Sequence, residues 1–252
     1  VFKEADLPRN YIPGALCFGC STFAMVAPGA PQIHNAIVAR ALGTDIMAGA
    51  VNGFIACAFM LVLGSFWLFK MIEKEKANGA HFVAKEGDVF SSDDENLPNG
   101  FIALIPLIIT VLLINIKING ENLVHLETGL LIGTILTILL MNKFVDKKEL
   151  TEDLGVAIKS SVFSITNTCA VVGFGSVVQA SLAFPVVVSA MTSIPGPPAS
   201  GVAVGTMVIA GICGSASGGL GIAAPLLGPV FLAKGISAEA IMRLMAIASS
   251  SL

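Results

Sequence analysis

The chain has 252 residues, of which 55% are hydrophobic and only 12% are charged, and its mean hydropathy is +0.86. A typical soluble domain has about 25% charged residues, so this composition excludes an ordinary soluble protein and favours a membrane protein. The net charge of −3 and the lack of a large basic cluster give no reason to expect a nucleic-acid partner.

Residues 1–69 are predicted to contain a broken apolar segment followed by one membrane span. The stretch MVAPGAPQIHNAI interrupts an otherwise apolar sequence with two prolines, a glycine and three polar side chains. Residues 46–69 then contain no Asp, Glu, Lys or Arg. Because roughly 20 apolar residues cross a bilayer, this second stretch predicts a transmembrane helix.

Two charged loops, residues 70–100 and 142–159, flank a region of two predicted spans, residues 101–141. Both loops contain several lysines, whereas the short connection between the two spans contains only Lys117. Cytoplasmic loops of membrane proteins are enriched in Lys and Arg, so both charged loops are predicted to lie in the cytoplasm. The charge pattern leaves open the sides on which Lys3 and Arg40 lie.

Residues 160–252 are predicted to form a second broken or re-entrant region followed by a helix. Residues 160–233 have no charged side chain and are long enough for about three passes. The stretch GSASGGLGIAAPLLGPV predicts helix interruptions at several small or cyclic residues, namely Gly218, Gly219, Gly221, Pro225, Gly228 and Pro229. Ser237, with Glu239 close behind it, predicts the start of the last helix.

The predicted fold class is therefore an all-α polytopic membrane protein with broken or re-entrant segments and an inverted repeat. Irregular backbone is tolerated at membrane depth only where it is buried in protein or lines a watery cavity. Helix N-termini at such breaks carry partial positive charge and favour anions, and transporters often build their sites from two broken segments. Small residues also let membrane helices pack closely, which is the alternative interpretation of the glycine-rich stretches.

Three stretches are the candidate substrate site, because each combines small or polar residues with breaks in apolar sequence. Their candidate residues are Ser21, Thr22, Pro28, Gly29, Pro31, Gln32 and Asn35; Thr166, Asn167, Ser176 and Gln179; and Ser215, Ser217, Gly218 and Gly219. His34 is the candidate for proton coupling, since its ordinary pKa lies near 6.5, with a hydrogen-bonding role as the alternative. Asp45 and Glu127 are interpreted as interfacial.

No catalytic motif stands out in the sequence. There is no His-Glu-x-x-His, Gly-x-Ser-x-Gly or Walker lysine motif. The five cysteines lie in apolar segments and are interpreted as small apolar side chains, because no second Cys or His pair completes a metal site. The sequence therefore predicts a protein that is not an enzyme and has no cofactor and no metal site.

The stretches APGAPQIHNAI with LGTDIMAGAVNGFI, GFGSVVQAS, and GICGSASGGLGIAAPLLGPV resemble the gluconate permease family. The resemblance covers most of the chain except residues 70–100. It implies a proton-coupled carrier of sugar acids and related hydroxy acids in the bacterial inner membrane, with re-entrant hairpins and elevator-type exchange. Its site residues carry over onto those listed above in the first and last motifs, from Pro28 to Asn35 and from Ser215 to Gly219. The chain departs from the family pattern at His34, where a second glutamine is usual, and at IVARAL.

The leading hypothesis is proton symport of a small, gluconate-like organic anion, with the lipid bilayer as surroundings and a homodimer left open. The alternatives are a sodium-coupled carboxylate transporter, the membrane subunit of a sodium-pumping decarboxylase, and a passive channel. A decarboxylase subunit requires intramembrane aspartates, which residues 160–233 lack. Because it starts with Val instead of Met and stops within the apolar stretch MAIASSSL, the sequence is expected to be an internal fragment of a longer membrane protein.

Overall fold

The computed structural model describes residues 2–85, 98–118, 121–144, 147–182 and 184–250. Their regular secondary structure is helical apart from one short hairpin. Their elements are α1 (Ile12–Gly19), a π-helical turn (Cys20–Ala24), α2 (Ile33–Leu42), α3 (Ala50–Ala77), α4 (Gly100–Asn115), β1 (Lys117–Ile118), β2 (Glu121–Asn122), α5 (Leu126–Met141), α6 (Lys147–Gln179), α7 (Phe184–Thr192), α8 (Pro198–Cys213), α9 (Ala216–Ala233) and α10 (Ala238–Ala248). The two strands form only a short antiparallel hairpin between α4 and α5.

Three helical segments within the described residues are long and apolar enough to cross a membrane: Ala50–Ala77, Leu150–Val177 and Ala216–Ala233. The helices α4, α5 and α8 are apolar but have 16 residues each. At a rise of 1.5 Å per residue they are about 24 Å long, shorter than a bilayer core of about 30 Å. The all-helical membrane class predicted from composition is confirmed, whereas the inverted repeat stays a prediction.

The first broken region runs antiparallel to α3. Tyr11 donates a 3.5 Å hydrogen bond to the carbonyl of Met71 near the end of α3. Further along, the Phe18 ring lies against Gly64, and Pro28 packs onto Gly53, where an added Cβ would lie 2.5 Å from the proline Cγ. The break between the π turn and α2 therefore lies beside the first part of α3, within its apolar stretch.

The segments that precede and follow α3 make different polar contacts. The amide of Phe82, beyond the C-terminal end of α3, donates to the Asp6 carboxylate at 2.9 Å, so the N-terminal residues lie at that end. Arg40 instead pairs with Glu127 at the start of α5. This arrangement puts Lys3 on the side of the first lysine-rich segment and Arg40 on the side of the short α4–α5 connection.

The second glycine- and proline-rich stretch is a helical hairpin whose interruption was predicted at the wrong residues. The chain breaks at Gly214, which has a φ of +59°, and α9 then continues unbroken through Pro225 and Pro229. Membrane helices tolerate internal prolines when the freed carbonyls are satisfied locally or by neighbours. Gly219 lies directly against Ala210 of α8, so this glycine serves close helix packing, as the alternative interpretation proposed.

The helix α6 also corrects the sequence interpretation. Residues 147–159 were predicted as a loop and residues 160–179 as broken, yet Lys147–Gln179 is one helix. Within it, hydroxyl groups bond to carbonyls four residues earlier, as Thr168 does to Ser164 at 2.9 Å, which satisfies them without a break. Its Gly175 faces Ile222 of α9.

The main hydrophobic core joins α2, α8, α9 and α10. Its fully buried members come from all four helices: Val38, Ala39, Val202, Leu220, Ala223, Ala224, Leu227, Phe231, Ile241, Met242 and Met245. The last helix begins as predicted, since the Ser237 hydroxyl accepts a hydrogen bond from the amide of Ala240 at 3.3 Å. This core holds α2 and α10 together at the first helix break.

Candidate functional site

The centre of the candidate site is the non-helical segment at residues 25–32. Gly29 turns the chain with a φ of +74°, and its amide donates to the carbonyl of Ile46 at 3.1 Å. Val26 is fully buried and Ala27 nearly so. The backbone is thus irregular and enclosed in protein, the arrangement that membrane proteins reserve for sites or cavities.

Asn35 fixes this segment from the first turn of α2. Its side chain is fully buried, and its amide nitrogen donates to the carbonyls of Ala27 at 2.9 Å and Ala30 at 3.2 Å. Its amide oxygen accepts a hydrogen bond from Arg243 at 3.2 Å. Both N–H groups and the oxygen therefore have partners inside the protein, and in this conformation Asn35 holds the break. Its predicted contact with substrate stays a prediction.

Arg243 of α10 is the strongest feature that sequence reasoning missed. Its side chain is only 3% exposed. Its Nε and Nη2 atoms donate to the Ala48 carbonyl at 3.2 and 2.7 Å, and Nη2 also donates to Ile46 at 3.0 Å. Its Nη1 atom donates to the Val26 carbonyl at 2.7 Å and to Asn35. These contacts use all five N–H donors of a guanidinium.

No ion pair joins Arg243 to a carboxylate in the part of the chain that the structure describes. Removing an unpaired charge from water is costly, so such a group indicates a function more often than a gain in stability. One signal for it was present in the sequence, since Arg243 stands alone between apolar residues in IMRLMAIA. Arg243 therefore places a buried positive charge in contact with the helix break.

The other predicted residues of the first motif have varied surroundings. His34 is buried, and its Nδ1 atom has no hydrogen-bond partner among the described residues. Gln32 is exposed and forms the N-terminal cap of α2 without a capping bond from its side chain. Thr22 is buried and donates to the Phe18 carbonyl at 2.9 Å. Ser21 and Pro31 are half-buried, and Pro28 is buried.

The last motif forms the N-terminal cap of α9. The Ser215 hydroxyl accepts a hydrogen bond from the Gly218 amide at 3.2 Å and lies 3.5 Å from the Ser217 hydroxyl. Both serines are half-buried, whereas Gly218 and Gly219 are buried. Since α2 begins in the first motif and α9 in the last, the shared core packs together the two helices that start there.

The third stretch lies apart from the break. Thr166, Asn167 and Ser176 are exposed on α6, and the Ser176 hydroxyl donates to the Val172 carbonyl at 3.1 Å. The Gln179 side chain lies outside the described residues. This stretch packs on α9 and lines a small cavity of about 180 Å³ beside Pro225. Among the described residues, its polar side chains make no hydrogen bond to Arg243.

A larger polar cavity adjoins the break. It has a volume of about 640 Å³ and is lined by residues 43–45, 47–52, Lys117, Ala238 and Glu239. Its wall includes Ala48, whose carbonyl binds Arg243. Asp45 lies here 3.3 Å from the Lys117 ammonium. Burial raises the pKa of Asp45, but hydrogen bonds from Met47, Asn122 and Lys117, with the lysine charge, outweigh it and lower the pKa overall.

The comparisons with known proteins agree with a membrane-transport protein. No protein-family model matches the chain, and no solved structure matches it. The chain is 30% identical, over an alignment 296 positions long, to the uncharacterized transporter YxjC of Bacillus subtilis (strain 168). The match covers the whole chain but 62% of that relative, so the chain spans less than two thirds of its length. The chain is therefore a multi-pass helical membrane protein that is similar to a transporter.

Proposed function

We propose that the protein is a secondary active transporter that takes up gluconate or a related sugar acid or hydroxy acid together with protons. It would act in the bacterial inner membrane. The observation that carries the proposal is the buried helix break at residues 25–32 with the unpaired positive charge of Arg243 behind it. A site with this charge favours an anion over a neutral or cationic substrate.

The start of α2 adds to the preference for an anion. The N-terminal amides of a helix carry partial positive charge and bind carboxylates readily. Gln32 leaves this end without a side-chain cap and is itself exposed. A carboxylate at this position would meet α2 amides and the Gln32 amide group, while the field of Arg243 acts from behind.

Proton coupling is supported by His34. Its Nδ1 atom is buried without a described partner, two residues from the exposed Gln32. An imidazole nitrogen with a free lone pair is able to accept a proton. Protonation of His34 would add a second positive charge beside the break and so strengthen the binding of an anion. Proton entry and anion uptake would thereby be coupled.

Sodium coupling is less well supported at this break. Backbone carbonyls at broken helices are the usual ligands of Na⁺ in such carriers. Here the carbonyls of Val26, Ala27 and Ala30 are already bound by Arg243 and Asn35. A sodium ion would have to compete with a guanidinium for them.

The test is uptake of labelled gluconate by the full-length protein in proteoliposomes. A pH gradient, acid outside, should drive accumulation at least tenfold above equilibration, and a proton ionophore should abolish it. An imposed sodium gradient without a pH gradient serves as the control and should leave uptake unchanged. Accumulation driven by sodium alone would reject the proton as the coupling ion. No uptake with either gradient would reject the proposed function for this substrate.

A further inference from the structure

We infer that Arg243 is the positioning residue of the anion site: its guanidinium fastens the helix break, and its charge attracts the substrate without touching it. This inference rests on the proposed function.

The donors of Arg243 are fully used. Five hydrogen bonds of 2.7–3.2 Å join it to the Val26 carbonyl in the break, to the carbonyls of residues 46 and 48, and to the Asn35 oxygen. An arginine with no free N–H has none to offer a carboxylate. Its contribution to an anion is therefore long-range attraction, which is strong in a buried setting because little water screens it.

The guanidinium is also the point where three parts of the chain meet. It comes from α10, binds Val26 in the break and binds Ala48 just before α3. Two glycines make room for it, since a Cβ at Gly53 would lie 2.8 Å from the arginine Cδ, and one at Gly49 3.2 Å from its Cβ. The packing is thus arranged around this one side chain.

Lysine is the informative substitution at this position. It keeps the charge, but its ammonium has three donors and no planar fork, so it cannot reproduce the five contacts. Arg243→Lys should therefore retain uptake with a KM raised at least tenfold and a maximal rate within threefold of wild type. Arg243→Met loses both charge and contacts and should show no measurable uptake. A purely structural arginine would not give this split.

Gly53→Ala perturbs the packing around the Arg243 side chain without changing a polar group. The added methyl would press on Pro28 and on Arg243, and we expect KM to rise at least fivefold. Gly64→Ala is its matched control, because it lies on the same helix and the three atoms nearest its added Cβ all belong to the Phe18 ring. Arg40→Gln is the control for charge, since Arg40 is exposed. Both controls should keep KM within twofold of wild type.

A readout without substrate separates this inference from the proposed function. A cysteine is placed at Ala30, in full-length protein whose native cysteines are replaced, and its reaction rate with a maleimide is measured. Loosening of the break in Arg243→Lys and Arg243→Met should raise that rate at least fivefold, and Arg40→Gln should leave it unchanged. Equal labelling rates in wild type and Arg243→Met would overturn the inference, and so would an unchanged KM in Arg243→Lys. A wild type that does not transport gluconate, with faster labelling in the variants, would reject only gluconate transport.

Discussion

Gly29→Ala should lower gluconate uptake at least tenfold while the protein still reaches the membrane in wild-type amount. The residue has a φ of +74°, a conformation that costs an L-residue about 1–2 kcal/mol. An added Cβ would lie 2.6 Å from both the Asn115 oxygen and the Met47 sulfur. Methionine can move aside, but Asn115 is held by hydrogen bonds to Gly29 at 2.9 Å and Val111 at 2.8 Å. The break would therefore shift.

Gly43→Ala is the matched control for this prediction. Its φ of +64° is similar, yet an added Cβ would meet nothing within 4 Å. Gly43→Ala therefore carries only the cost of placing an L-residue in the left-handed conformation, and uptake should stay within twofold of wild type. The two variants are compared by initial uptake rate, normalised to membrane abundance. Equal losses in both would mean that the left-handed conformation, and not the crowded break, explains the effect.

Gly219→Ala should destabilise the protein as a whole. An added Cβ would lie 2.8 Å from the Cβ and 2.9 Å from the backbone nitrogen of Ala210, so α8 and α9 would have to separate. Overpacking of this kind costs about 1–3 kcal/mol, and more where backbone blocks the way. We expect the melting temperature in detergent to fall by roughly 5 °C or more and less protein to be recovered.

The control for this second prediction is Gly173→Ala on α6. That glycine is also helical, but nothing lies within 4 Å of an added Cβ. Alanine is favoured over glycine in a helix by about 1 kcal/mol, so the melting temperature should stay level or rise. A melting temperature of Gly219→Ala equal to that of wild type would contradict the close packing of the hairpin.

The first helix break was predictable from the sequence because its cause is local. Two prolines and a glycine within four positions, Pro28 to Pro31, disfavour a continuous helix, because each proline removes a backbone N–H donor and clashes with the preceding turn. The membrane class was predictable for the same reason, since long uncharged runs act through composition alone. These features needed no knowledge of the neighbouring helices.

The second motif could not be predicted because glycine and proline serve more than one purpose in membrane helices. Gly219 is required by its neighbour Ala210, nine residues away along the chain and on another helix. Pro225 and Pro229 stand inside α9. Whether such residues interrupt a helix or pack it depends on tertiary contacts, which a single sequence does not display.

Arg243 was missed because its partners are distant in sequence. Val26 lies 217 positions away and Ala48 195 positions away. The predicted role of Asn35 as a direct ligand depends on the same contact, since the arginine uses its oxygen. Residue type and local spacing pointed to the helix break, whereas the buried charge next to it emerged only from the fold.

The proposed binding of the anion at the break of residues 25–32 is tested most directly by maleimide labelling of a cysteine at Ala30. Labelling is measured with and without gluconate, in full-length protein lacking its native cysteines. Saturating gluconate should slow labelling at least fivefold, with half-protection near the KM for uptake, and a cysteine at Ala80 should react equally fast in both conditions. Labelling at Ala30 that gluconate leaves unchanged, in protein that still transports it, would contradict the claim.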